Sequence, residues 1–165
     1  MTSTKDRVHI NKQNVSCYRC VARLLLRDTA VDPRKRGKYY DEIGLGMDFT
    51  ARDLQSELKA KGLPWELAKG FDGSAVLSEF FPKKDFDLKN LNFSLLKNKE
   101  EVQNGNTSLM IFSPEKIIAF VSKFFTLRVG DLIFTGTPKG VGKVSENDEL
   151  QAFLEDQKVF DLRIQ

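Results

Sequence analysis

The chain has 165 residues, enough for one domain burying roughly two thirds of its unfolded surface. Its 41% hydrophobic and 30% charged content excludes a disordered or fibrous protein. The longest apolar candidates, VARLLL and IIAFVSKFF, fall short of the roughly 20 residues of a membrane span, so no membrane partner is expected. The net charge of +3 hides a break in composition. Residues 1–38 hold ten Lys or Arg against three Asp and no Glu, whereas residues 39–165 hold sixteen against twenty acids. Both cysteines and the one His lie in the first part, all thirteen Phe in the second. The chain thus divides into an atypical basic N-terminal segment, 1–38, and a domain over 39–165. Lys5 and Arg7 are followed by no apolar stretch, so no secretory signal is read and a cytoplasmic location is expected.

From Tyr39 onward the pattern is that of a strand-rich α+β domain. IGLGMDF has the short apolar character of a buried strand whose glycines let another backbone approach. Thr50 with Asp53 resembles a capping box, Leu54 and Leu58 form an apolar stripe, and Gly62 is a stop, predicting a helix over 51–61. SAVLSEFF reads as extended up to Pro82, and LNFSLLKN and EEVQNG pair as a hairpin across a Lys/Asn turn. SLMIF reads as a strand leading into a helix with Ser113 as N-cap and Pro114 at its first position. Ile117, Ile118, Val121, Phe124 and Phe125 are its expected buried face. VGDLIFTGTPKGVG is turn, strand and glycine-rich loop. Alternation of Leu150, Ala152 and Leu154, then of Phe160, Leu162 and Ile164, predicts a terminal hairpin.

Four features bear on chemistry. CYRC, Cys17 to Cys20, has the spacing of zinc and redox motifs, but zinc asks for about four ligands and His9 is the one further Cys or His. Two incidental cysteines is the expectation. The basic run DPRKRGK, residues 32–38, lacks interleaved aromatics and a recognition helix, so it reads as a solvated segment with no specific nucleic-acid role. GTPKGVGK, residues 136–143, imitates a P-loop. The second glycine of that motif comes one residue late at Gly142, and Val144 stands where a hydroxyl is needed, which excludes nucleotide hydrolysis. The loop can still offer N–H groups and the Thr135 and Thr137 hydroxyls to an anion such as a carboxylate. The last feature is Asp48 at a strand end, with Arg52 and Gln55 spaced i and i+3 behind it and Lys69 beyond a Gly-Leu-Pro turn. Such a set offers a carboxylate to a hard cation and a guanidinium, amide and amine to a small oxyanion. It equally describes a helix-terminal acid beside solvated basic residues.

YYDEIGLGMDFTARDLQSELKAKGLPWELAKGFDGSAVLS, QNGNTSLMIF, FFTLRVGDLIFTGTPKGVG and ENDEL closely resemble the fumarylacetoacetate hydrolase family, in particular its small single-domain members, from about Tyr39 to the C-terminus. The resemblance implies a mixed β-roll with a few short helices and a homodimer. It implies an enzyme that uses Mg²⁺ or Mn²⁺ on small 2-oxo acids, by C–C hydrolysis, decarboxylation or isomerisation. In that family the cation stabilises an enolate. By match to the motif, Asp48 would be a metal ligand and Lys69 the catalytic amine beside the metal and the reacting oxygens. Thr137 would hold the substrate carboxylate, and Arg52 and Gln55 would orient its far end.

The departure from the family is as specific as the match. Two glutamates spaced E-x-E on an earlier strand and a His-Glu pair complete the family's site, yet residues 1–38 contain no Glu, and that region reads NVSCYRCVARLLL. Glu42 is no substitute: six extended residues put it about 20 Å from Asp48, against metal–oxygen bonds of about 2.0–2.6 Å. Residues 1–38 are therefore expected to replace the family's N-terminal portion through truncation or a shifted reading frame, whose signature would be an E-x-E strand encoded in another frame just upstream of KYYDEIG. Unpaired strand edges, poor N-terminal order, low metal affinity and impaired activity are the corollaries. A non-catalytic scaffold or interaction protein with a basic arm is the alternative.

Overall fold

The computed structural model describes residues 40–165 in full and, before them, the backbone of three strands, residues 6–8, 18–20 and 22–27. Cys17, His9 and the run 32–38 lie outside the described residues, as does the expected N-terminal disorder. In chain order the elements are β1 (Asp6–Val8), β2 (Tyr18–Cys20), β3 (Ala22–Arg27), β4 (Glu42–Asp48), β5 (Thr50–Ala51), α1 (Arg52–Ala60) and α2 (Glu66–Lys69). They continue with β6 (Ala75–Leu77), β7 (Phe81–Pro82), β8 (Asn92–Lys97), β9 (Glu100–Asn106), α3 (Pro114–Val121), β10 (Leu132–Phe134), β11 (Gly142–Val144), β12 (Glu149–Leu154) and β13 (Gln157–Ile164). Single 3₁₀ turns at Lys83–Asp85 and Thr107–Leu109 complete the set.

Three sheets result. One has the order β1-β13-β12-β8-β9, a second β10-β3-β4-β6 with β7 also on β4, and a third β11-β2-β5. Every pairing is antiparallel except β1 with β13. The fold is strand-rich α+β, as the pattern predicts, and matches the mixed β-roll that the family resemblance implies. The edge of β4 is not left open, however: β3 runs beside it over six residues, from Ala22↔Met47 to Arg27↔Glu42. Pairing of the backbone asks only for extended chain, so a segment without the family's acids still fills that place.

Period-two alternation builds the core. Leu150, Ala152 and Leu154 of β12 and Phe160, Leu162 and Ile164 of β13 are buried, facing Ile43, Leu45 and Met47 of β4 in one apolar cluster. On β4 successive positions are buried because the strand is covered on both faces. Gly44 permits that: a Cβ there would lie 2.9 Å from Ser78 Oγ, which receives the Leu45 N–H at 2.9 Å. At the entrance to β4, Tyr40 is buried and donates its hydroxyl to Glu115 at 3.3 Å, tying the sheet to α3. Burial, then the Glu115 charge and hydrogen bond, push this phenol above its ordinary range.

Both predicted helices form, with differences at their ends. No capping box starts α1: its N-cap is Ala51, while Thr50 stays in β5. It ends as predicted at Gly62 (φ +64), where the N–H groups of Gly62 and Leu63 reach the carbonyls of Lys59 and Leu58 at 3.1 and 2.9 Å. Helix α3 has the expected Ser113 cap to Lys116 N. Its expected buried face is buried at Ile118 alone; Phe124 and Phe125 are 68% and 67% exposed. SLMIF forms no strand: a 3₁₀ turn and exposed chain with Ile111 at 89% take its place. An apolar run reads as core only if something covers it. No helix among the described residues is long and apolar enough to cross a membrane.

Candidate active site

Strand alternation places the first group. Asp48 ends β4, Phe49 turns into the core at 1% exposure, and Thr50 returns to the Asp48 side in β5. The one-turn helix α2 then brings Lys69 across. Its Nζ donates to Asp48 Oδ2 at 2.9 Å, to Oδ1 at 3.2 Å and to Thr50 Oγ1 at 2.6 Å. Three acceptors match the three hydrogens of an ammonium. With side chains 33% and 16% exposed, the Lys69–Asp48 pair is half sheltered from water. Thr50 was expected to cap a helix; the signal for its true role was the i, i+2 spacing from Asp48.

A second group occupies the first turn of α1. Arg52 Nη1 donates to Gln55 Oε1 at 2.6 Å, with Gln55 8% exposed, so the predicted i, i+3 pair does share one side. Arg52 Nε is buried with no hydrogen-bond partner among the described residues. A buried guanidinium nitrogen without an acceptor costs free energy that a planar oxyanion would recover.

Thr137 sits elsewhere, in the loop between β10 and β11. It lines a cavity of about 300 Å³ with Thr135, Gly136 and Pro138 against Phe93, Met110 and Ile117. Asp48, Lys69, Arg52 and Gln55 are not among that cavity's lining residues. Gln103 of β9, 2% exposed, donates from Nε2 to Thr137 Oγ1 at 2.7 Å and to Pro138 O at 3.2 Å. The structure thus joins Asp48 to Lys69 and Arg52 to Gln55, and it adds Thr50 and Gln103, which the sequence reading missed.

A hard divalent cation asks for several oxygen ligands. Among the described residues no cluster of three or more His, Cys, Asp or Glu side chains is suited to hold one. The strands paired to β4 and β5 read YRC, ARLLLR, AVL and FP, without a single acid. Glu42 lies at the opposite end of β4, across from Arg27 and Pro82, while Asp48 faces Ala75. One carboxylate with an ammonium against both its oxygens does not by itself fit a divalent site.

Residues 39–165 match the model of the fumarylacetoacetate (FAA) hydrolase C-terminal family. Over 127 residues the chain is 52% identical to the mitochondrial oxaloacetate tautomerase FAHD1 of Bos taurus, covering 76% of this chain and 58% of that protein. It is 48% identical over 109 residues to the oxaloacetate tautomerase YcgM of Escherichia coli (strain K12), covering 65% of this chain and 50% of the relative. The chain thus spans between half and three fifths of the length of these curated relatives. Among solved structures, the fumarylpyruvate hydrolase of Pseudomonas aeruginosa in complex with Mn²⁺ and pyruvate superposes with a TM-score of 0.89 at 26% identity, covering 98% of this chain and 71% of that one. These relatives act on small oxo acids, as their names state. With the family model spanning everything from Tyr39 to Gln165, the chain belongs to the fumarylacetoacetate hydrolase family.

Proposed function

We propose that this chain carries the substrate-orienting part of an enzyme site for small 2-oxo acids. Its cation is Mg²⁺ or Mn²⁺, and its activity is impaired because the described residues supply one carboxylate, Asp48, where the family uses three. The observation that carries this reading is the Asp48–Thr50–Lys69 group at the junction of β4 and α1, on a fold shared with a fumarylpyruvate hydrolase. Oxygen ligands accept Mg²⁺ and Mn²⁺ alike, so the donor type does not choose between the two. The protein's own residues do the rest. Arg52 and Gln55 present a guanidinium and an amide to the far end of the acid, Thr137 takes its carboxylate, and Lys69 lies beside the reacting oxygens.

Titration of Mn²⁺ into the purified chain, read by calorimetry, tests this reading together with turnover of oxaloacetate and an acylpyruvate. The expected result is binding far weaker than micromolar, lost in Asp48→Ala, with turnover well below the ordinary enzymatic range of about 1–1,000 s⁻¹. Turnover within that range would refute the impairment. No Mn²⁺ effect in either protein, with no turnover, would leave the non-catalytic scaffold as the correct description.

A further inference from the structure

We propose that the Lys69 ammonium stands where a divalent cation would meet Asp48, that Thr50 holds it there, and that Mg²⁺ or Mn²⁺ reaches this carboxylate only by displacing it. This rests on the reading above, in which Asp48 is the carboxylate that faces the ion. Lys69 Nζ lies 2.9 Å from Oδ2 and 3.2 Å from Oδ1, nearly equidistant from the two oxygens that the ion would use. An ion bonded to either oxygen at about 2.0–2.6 Å would come within about 6 Å of that nitrogen. A double and a single positive charge repel strongly at that separation. With side chains 33% and 16% exposed, the pair is too sheltered for water to screen this fully. Further contacts of Asp48 leave that repulsion in place.

The lysine is fixed at both ends. Its backbone belongs to α2, where Ala68 is fully buried, the Ala68 N–H reaches Trp65 O at 2.9 Å and the Gly70 N–H reaches Glu66 O at 2.6 Å. Its tip donates to Thr50 Oγ1 at 2.6 Å, and Thr50 is 1% exposed in β5, where water does not readily replace a lost partner. Displacement therefore costs the Thr50 bond as well as the contacts with Asp48. The side chain has an exit. Lys69 also lines an open surface groove with Leu63, Pro64, Trp65 and Glu66, and Glu66 precedes it by three positions, on the same side of the helix. A displaced ammonium thus meets a second carboxylate rather than bulk water alone.

The test uses the full chain and measures bound Mn²⁺ by the loss of the free-ion electron paramagnetic resonance signal, with urea midpoints to check folding. Lys69→Met is expected to bind Mn²⁺ about tenfold more tightly than the unaltered chain, the scale of one hydrogen bond to a charged group, and to lose that gain when Asp48→Ala is added. Thr50→Val should gain about threefold, the net scale of a typical hydrogen bond, and Thr50→Ser, which keeps the hydroxyl, should gain nothing. The double variant Lys69→Met/Thr50→Val should bind no better than Lys69→Met, since Thr50 acts through the ammonium. A merely loosened fold would lose the ion rather than gain it, and if Lys69→Met fails to fold, the two Thr50 variants decide. Lys69→Met binding no tighter than the unaltered chain, or equal gains by Thr50→Val and Thr50→Ser, would overturn the proposal; loss of binding in Asp48→Ala would still uphold the role of Asp48. If the gain survives Asp48→Ala, or if no variant takes up Mn²⁺, the proposal and the role of Asp48 fall together.

Discussion

Asp148 shows how a single side chain gathers distant segments. Its Oδ1 receives the Asn98 amide at 2.7 Å, its Oδ2 the Ser145 N–H at 2.8 Å, and Lys97 stands 3.6 Å off. Burial alone would raise this carboxyl; the Asn98 and Ser145 hydrogen bonds and then Lys97 outweigh it and hold it below the usual carboxylate range. In the unfolded chain the group takes up its proton earlier as pH falls. The stability it contributes is therefore complete above about pH 4 and is lost as pH drops through the lower folded value. Asp148→Asn should be less stable at pH 7 and should lose less further stability below pH 4, measured as urea midpoints between pH 2 and 7. Parallel acid curves for the two proteins would contradict this. The same reach across the chain explains what was legible in the site. Asp48, Arg52, Gln55, Lys69 and Thr137 stand inside long family motifs and were named from sequence. Thr50 and Gln103 were not, because their partners lie 19 and 34 residues away and follow only from the folded arrangement.

Among the elements, short-range chemistry was readable and long-range covering was not. The β8–β9 hairpin followed from two alternating runs around a Lys/Asn turn, and the structure closes it with two residues, Asn98 and Lys99, between Lys97 and Glu100. Both have positive φ, 52° and 72°, the pattern of a type I′ turn. Asn98 suits that conformation and also accepts the Glu149 N–H at 2.9 Å. Lys99 does not suit it: a left-handed conformation costs a side-chain-bearing residue about 1–2 kcal/mol, part of which glycine regains against its extra unfolded-state freedom. Lys99→Gly should raise stability by about 0.5–1 kcal/mol, read as a higher denaturant midpoint at unchanged slope. A lower midpoint would show that this turn is not what limits the hairpin. In contrast, SLMIF and the Phe124 and Phe125 pair just past the end of α3 misled the pattern. Alternation and helical periodicity show that a face is apolar; they do not show which molecule covers it.

At the scale of the whole molecule, the described residues leave a set of large apolar side chains exposed. Leu109, Ile111, Phe112, Phe120, Phe124, Phe125 and Val129, on or beside α3, are each at least 60% exposed, and the Phe120 and Phe124 rings lie 5.3 Å apart. With large side chains offering roughly 150–250 Å² each when fully exposed, the patch presents on the order of 1,000 Å². Monomers rarely leave more than a few hundred Å² of contiguous apolar surface in water, and a stable dimer buries about 800 Å² per partner. We propose that a second copy of the chain covers this face, because an isologous contact needs no other molecule and lets the same apolar patch serve both sides. A charge placed among these side chains would then be buried without a partner on both copies at once. Light scattering behind size exclusion should find the unaltered chain as a dimer and Ile111→Glu as a monomer with unchanged far-UV circular dichroism. A monomeric unaltered chain would show that no second copy covers the face, and a variant that remains dimeric would place the contact elsewhere. Because Met110, Ile111 and Phe112 also line the cavity that holds Thr137, pairing through this face would close its apolar side, making that cavity a product of assembly as well as of folding.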